Sequence, residues 1–212
     1  ERGTQLRDLR LAVSCTGEYT QSVGGVANAR AYIDTWLDEI NETYGREYCV
    51  RFTLIPNNDI LVFGNPNTDP WPTIPNDAAP CNGDGELYNA QKPEIDQRIG
   101  AANYDISHIF FLYPNSGGGC AGFFQGGVSG PPSIPITRHE IGHQFSQSHT
   151  IGNGGNNNYE LLGGNWSIQG GNQQPFAHSS SYHMLANHLL TTEANTGTKI
   201  NTGNTIPTVS AG

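Results

Sequence analysis

Positive charge is scarce in this chain. Two lysines, Lys92 and Lys199, occur in 212 residues, and Lys and Arg together number 10 against 19 Asp and Glu, for a net charge of −9. A surface of that sign has little with which to neutralise phosphates, so nucleic acid and anionic membranes are excluded as expected partners. The same charge opposes self-association and predicts a monomer. Long apolar runs are missing too: none approaches the roughly 18 residues that a membrane-crossing helix needs. The four cysteines, Cys15, Cys49, Cys81 and Cys120, contain no C-x-x-C pair, which argues against a cysteine metal site. Their even number predicts two disulfides, with Cys81–Cys120 the favoured pairing, and hence an oxidising compartment. The chain opens at Glu1 without Met or a basic-plus-apolar leader, which predicts a processed or trimmed form, and the cysteines predict a secreted, extracellular one.

What is present reads as an α/β domain. Residues 9–15 (LRLAVSC) alternate as a first strand. Val26, Ala29, Ile33, Leu37 and Ile40 then recur at helical spacing, predicting a helix over 26–44 that stops at Gly45. Residues 49–55 predict a second strand and 60–63 a short third. Strand, helix, strand at this spacing implies a right-handed crossover between parallel strands. A Pro/Asn/Asp-rich loop over 64–85 leads to a helix over 90–100. The continuous apolar run 106–113 predicts a central strand, with His108 as a core or sheet-face histidine, and 120–125 predicts an edge strand. Residues 134–146 predict another helix. Beyond lie a Gly/Asn/Gln loop over 151–174, a last helix over 179–191, and a tail or linker over 195–212.

The helix over 134–146 carries the chemistry. His139-Glu140-Ile141-Gly142-His143 places two imidazoles at i and i+4, on one helix face and within reach of one ion. A chance H-E-x-x-H in a chain of this length and composition has odds of roughly 1%. His149, six residues past His143, would supply a third nitrogen and leave a fourth position open, the layout of a catalytic zinc rather than a structural one. Glu140 lies one step round the helix, placed to act on a bound water as general base.

The stretch His139–His149 resembles the metzincin signature H-E-x-x-H-x-x-G-x-x-H. The wider chain (LRLAVSCTGEYTQ, TLIPNND, ANYDISHIF) resembles the reprolysin-like, or adamalysin-like, secreted bacterial metalloproteases. The resemblance implies a metzincin-like α/β fold. That fold has a twisted, mostly parallel mixed sheet with an edge strand and helices over residues 1–149, and a small irregular C-terminal subdomain over 150–212, across a zinc cleft, within one catalytic domain. It implies a zinc endopeptidase in which His139, His143 and His149 hold Zn2+ and Glu140 is the base for a zinc-bound water. Protein or peptide substrates would lie extended against the edge strand, with residues 151–181 lining the pocket after the cut. Two departures stand out. Ser146 occupies the family's glycine position, where positive φ is usual and a side chain costs about 1 kcal/mol or more. The methionine turn aligns either with Ser167-Ile168-Gln169-Gly170, putting Gln169 in the Met position, or with Met184.

Other readings compete. Glu160 or Glu193 as third ligand would make a thermolysin-like zinc peptidase. A zinc that only staples loops would make a non-enzymatic secreted binding module. His178, His183 and His188 recur every five residues, which does not align a helix face, and read as surface or core residues. Asp59, Asp69 and Asp84 sit in loops that invite Ca2+. No D-x-[DN]-x-[DN]-G pattern accompanies them, so they read as solvated turns, with a calcium ion the weaker alternative.

Overall fold

The computed structural model describes residues 4–71, 86–112, 118–122, 126–130, 133–147, 149, 168 and 197–203. Among these, six strands form one sheet: β1 (Gln5–Cys15), β2 (Val50–Leu54), β3 (Ile106–Phe110), β4 (Gly118–Gly122), β5 (Gly126–Gly130) and β6 (Thr198–Asn201). Four helices accompany them: α1 (Gly17–Ser22), α2 (Val26–Tyr48), α3 (Glu86–Ile99) and α4 (Ile134–Gln144). The strand order is β2-β1-β3-β5-β4, with β6 also on β1. The β1–β2, β1–β3 and β3–β5 pairs are parallel, and β4–β5 and β1–β6 are antiparallel. The fold is therefore the α/β architecture with a mostly parallel mixed sheet that the sequence implies, and β4 is its edge strand.

The pleat sorts side chains between two cores. Leu9, Leu11, Val13 and Cys15 of β1 join Ala29, Ile33, Trp36, Ile40 and Tyr44 of α2 and Ile141 of α4 on one face. Ala12, Ile109, Phe111 and Val128 meet Leu87 and Ile95 of α3 on the other. The second half of β1 is buried on both faces, which is why alternation fades there (burial runs unbroken from Leu11 to Cys15). No helix among the described residues is long and apolar enough to cross a membrane.

Several expectations are corrected. α2 does not stop at Gly45. Its buried face continues through Glu47 and Tyr48, and the helix ends at Cys49, whose φ of 58° is left-handed. Packing of that extra turn outweighs the helix cost of a glycine, about 1 kcal/mol. Residues 60–63 do not form a strand. Asn58–Leu61 is a 3-10 turn, and Val62 makes a single parallel bridge to Cys15. The amide of Asn58 occupies both polar groups of Val13, at 2.8 Å each, where a strand would have to pair.

The edge strand lies at Gly118–Gly122 rather than 120–125, and β5 (GGVSG) has no strand signal in its composition. Pairing on both edges makes it a strand despite its glycines. Residues 198–201, expected in a tail or linker, instead pair with Gln5–Asp8 of β1. Cys15 and Cys49 are buried thiols, so the expectation of two disulfides fails. Cys120 is disulfide-bonded, and Cys81 lies outside the described residues.

Ile33 is 1% exposed whereas Tyr32, its neighbour, is 52% exposed. Ile33→Ala should lower the unfolding free energy by about 2–5 kcal/mol, against at most about 0.5 kcal/mol for Tyr32→Ala, in urea titrations of the two variants.

Candidate metal centre

α4 runs from Ser133, whose carbonyl accepts the N–H of Thr137, to Gln144, with Pro135 in its first turn, a position where the missing N–H costs nothing. Its end is a Schellman reversal. The Ser146 N–H donates to the His143 carbonyl at 3.0 Å and the Gln147 N–H to the Gly142 carbonyl at 3.1 Å. Ser146 takes φ +64°. The family's glycine conformation is thus kept with a serine in it, and the chain accepts the strain rather than taking another path.

The reversal serves the histidines. It presents the Gln147 carbonyl to His143, whose Nδ1–H donates to it at 2.6 Å, and it turns the chain toward His149. The Nδ1–H of His139 donates to the carbonyl of Ile168 at 2.9 Å. Spending Nδ1–H in this way fixes the tautomer, so the Nε2 lone pairs of both rings are free to coordinate. Those Nε2 atoms and that of His149 converge, at 3.1 Å (His139–His143), 3.0 Å (His139–His149) and 3.0 Å (His143–His149). Zinc–nitrogen bonds of about 2.0–2.1 Å in a tetrahedral site would put such nitrogens roughly 3.3–3.4 Å apart. The three histidines could hold a metal ion, and they fit zinc in donor type and spacing.

Electrostatics agree. Burial, with the neighbouring His143 second, lowers His139 to about 3. Burial lowers His143 to about 4, and it lowers His149 as well. All three rings are neutral at neutral pH, the form in which an imidazole can ligate a metal. Burial raises Glu140 to about 8, and its Oε2 has no hydrogen-bond partner among the described residues. A nearby cation would favour the charged form. Glu140 is reached by β4 through Gly119: a Cβ there would lie 2.7 Å from the Glu140 Cγ and 2.6 Å from the Val128 carbonyl oxygen. Only glycine lets the edge strand pass so close, a requirement that sequence spacing did not reveal.

The structure brings His139, His143 and His149 together and leaves His108 elsewhere. His108 is fully buried within the sheet, its Nε2 at 2.8 Å from Ser129 Oγ. Asp59 pairs with Arg30 at 3.0 Å, and Asp69 accepts from the N–H groups of Gly17 and Trp71, at 2.6 and 3.0 Å. Asp84, Glu160, Gln169, His178, His183, Met184, His188 and Glu193 lie outside the described residues. So do the expected loop over 151–174, apart from Ile168, and the expected helix over 179–191. Sequence reasoning missed the Ile168 carbonyl as the support of His139, since a backbone acceptor leaves no mark on residue type.

Three neutral imidazoles that could hold a metal ion and a buried carboxylate beside a sheet edge are a donor set suited to metal-dependent hydrolysis. The comparisons carry this further. The profile of the metallopeptidase family M12B, reprolysin-like, matches residues 6–135, more than half of the chain, so the chain belongs to this reprolysin-like family. That match ends before His139, which makes the histidine cluster separate evidence. A search of curated proteins finds no match. A solved structure described as "Structure of a chaperone-substrate complex" superposes with a TM-score of 0.52 at 18% identity, covering 84% of this chain and 30% of that one. At that identity the likeness is one of fold, and this chain spans less than a third of the other's length.

Two outcomes follow from the geometry. Ser146→Gly should stabilise the metal-free protein by up to about 1 kcal/mol by relieving the left-handed strain, whereas Ser146→Val should destabilise it by at least as much. Urea midpoints measure both, and a destabilised glycine variant would contradict the strain. Burial also lowers His108 to about 3. The unfolded chain therefore binds a proton there below about pH 6.5 that the folded chain refuses. Stability from His108 is full above pH 6.5 and is lost as pH falls toward 3, at up to about 1.4 kcal/mol per pH unit. In His108→Gln the fall in unfolding free energy between pH 6.5 and 4 should be shallower than in the wild type by about that slope.

Proposed function

We propose that the chain is a zinc-dependent endopeptidase. The observation that carries this reading is the convergence of three Nε2 atoms, two of them on rings whose Nδ1–H is committed to a backbone carbonyl. With Nδ1–H so committed, the Nε2 atoms of His139 and His143 are acceptors 3.1 Å apart, which repel one another unless a positive charge or a donated hydrogen lies between them. His139, His143 and His149 would hold zinc, which supplies a charge that lowers the pKa of a water and polarises a peptide carbonyl. Glu140 takes the water's proton on its buried carboxylate and returns it to the leaving amine. The substrate chain lies extended along the open edge of β4, adding one strand antiparallel or parallel to it through backbone hydrogen bonds. On this reading the cleft would divide residues 1–149 from 150–212 within one catalytic domain, although Thr198–Asn201 returns to the sheet beside β1.

The finer calls rest on the same reading. Secretion is supported by the disulfide at Cys120, and Cys81 is its proposed partner. A monomer without nucleic-acid or membrane partners follows from the net charge of −9. The His149 position supports a third histidine over Glu160 or Glu193. A calcium ion finds no support at Asp59 or Asp69, whose carboxylates are engaged in an ion pair and in turn hydrogen bonds.

Glu140→Gln should retain one zinc per chain by metal analysis while kcat on casein falls by about 10²–10⁴; full activity in that variant would sink the mechanism. Wild-type casein cleavage should stop with phenanthroline and return with added zinc. Protein that binds zinc yet cleaves nothing under any condition would favour the binding-module reading.

A further inference from the structure

A line of buried polar groups runs through the sheet to the back of α4. The Nε2 of His108 lies 2.8 Å from Ser129 Oγ, which lies 2.8 Å from Thr137 Oγ1. Thr137 in turn donates to the Ser133 carbonyl at 3.1 Å. The direction of every proton follows from counting hydrogens. Thr137 spends its only hydroxyl hydrogen on Ser133, so it must accept from Ser129. Ser129 then has none left for His108 and must accept from it. His108 is therefore the Nε2–H tautomer, and its Nδ1 presents a lone pair.

That lone pair faces the other end of the same helix. The point where a Cβ of Gly127 would stand is 2.9 Å from His108 Nδ1 and 2.9 Å from Gln144 Nε2. Both atoms are buried without a hydrogen-bond partner, one an acceptor and the other a donor, so no direct bond joins them and a water placed between them would bond to each. Glycine at 127 keeps the space open. The imidazole cannot turn away, because Trp36 stacks on it (27° between planes, centroids 6.1 Å apart) and Phe110 meets it edge-on at 5.7 Å.

At about 100° per residue, Thr137, Ile141 and Gln144 fall on one face of α4, and His139 and His143 fall on the far side. Ile141 packs there, but apolar contact is non-directional and permits the helix to roll. The directional bonds of Thr137 at the start of the stripe do not. We propose that His108, through Ser129 and Thr137 at the first turn of α4, is a positioning residue. It sets the roll of the helix and so the aim of His139 and His143 at the metal. This rests on the zinc reading above.

Thr137→Val keeps shape and deletes the hydroxyl, and Ser129→Ala breaks the line one step earlier should the first variant not fold. Each is loaded with cobalt(II) in place of zinc, and the visible absorption spectrum and the zinc Kd by chelator competition are recorded. Both should show an altered cobalt spectrum and a zinc Kd about tenfold weaker, the scale for outer groups that orient ligands. Thr137→Ser, which keeps the hydroxyl, should restore both. Thr43→Val removes an equally buried hydroxyl that bonds within α2, and should cost stability without changing the spectrum. Wild-type spectra and Kd in Thr137→Val and Ser129→Ala would overturn the positioning role alone. An equal spectral change in Thr43→Val would overturn it as well. Wild-type protein that binds neither metal would overturn the zinc reading, and this inference with it.

Discussion

Everything at the centre of this molecule depends on an unfavourable contact held in place. Three imidazole nitrogens about 3 Å apart, at least two of them with inward lone pairs, are not a packing preference. They stay because each of two rings is anchored from behind by a backbone carbonyl, Gln147 for His143 and Ile168 for His139. Carbonyls come from chain direction rather than from side chains. Getting them there is the task of the reversal at Ser146 and of the burial of Ile168 in the core shared with α2 and β1.

The frame around that contact follows from simple patterns. Alternation in β1 and the 3.6-residue period of α2 were legible because each element buries one face against the other. The parallel crossover was legible from their order. The helix with His139 and His143 was legible because metal ligation requires i and i+4. Burial then explains why the rings are neutral, and neutrality explains why they can ligate.

What stayed hidden was decided by contacts far apart in sequence. β5 is nearly all glycine and serine, and it becomes a strand only because β3 and β4 bind both of its edges. Gly119 and Gly127 look like loop residues, yet they mark places where Glu140, His108 and Gln144 come too close for a side chain. Gly45 looked like a helix stop, but buried Tyr48 carries α2 past it. Ser146 was visible as a departure, and geometry resolves how it is accommodated: the reversal is conserved in shape and altered in chemistry.

β6 enters the sheet beside β1, collinear with β3 along the same edge. The chain that leaves α4 through His149 is thus fastened again at residues 198–201, and Ile168 is pinned between these two points by its bond to His139. Beyond α4 the described residues are thus held to the body of the protein at His149, at Ile168 and at Thr198–Asn201. Closing a span of that length costs roughly 3–4 kcal/mol in chain entropy, and the bond at Ile168 divides it into two shorter arcs. A nick in either arc would leave both ends attached to the body of the protein, so a molecule of this design can suffer a cut in that segment without losing a fragment.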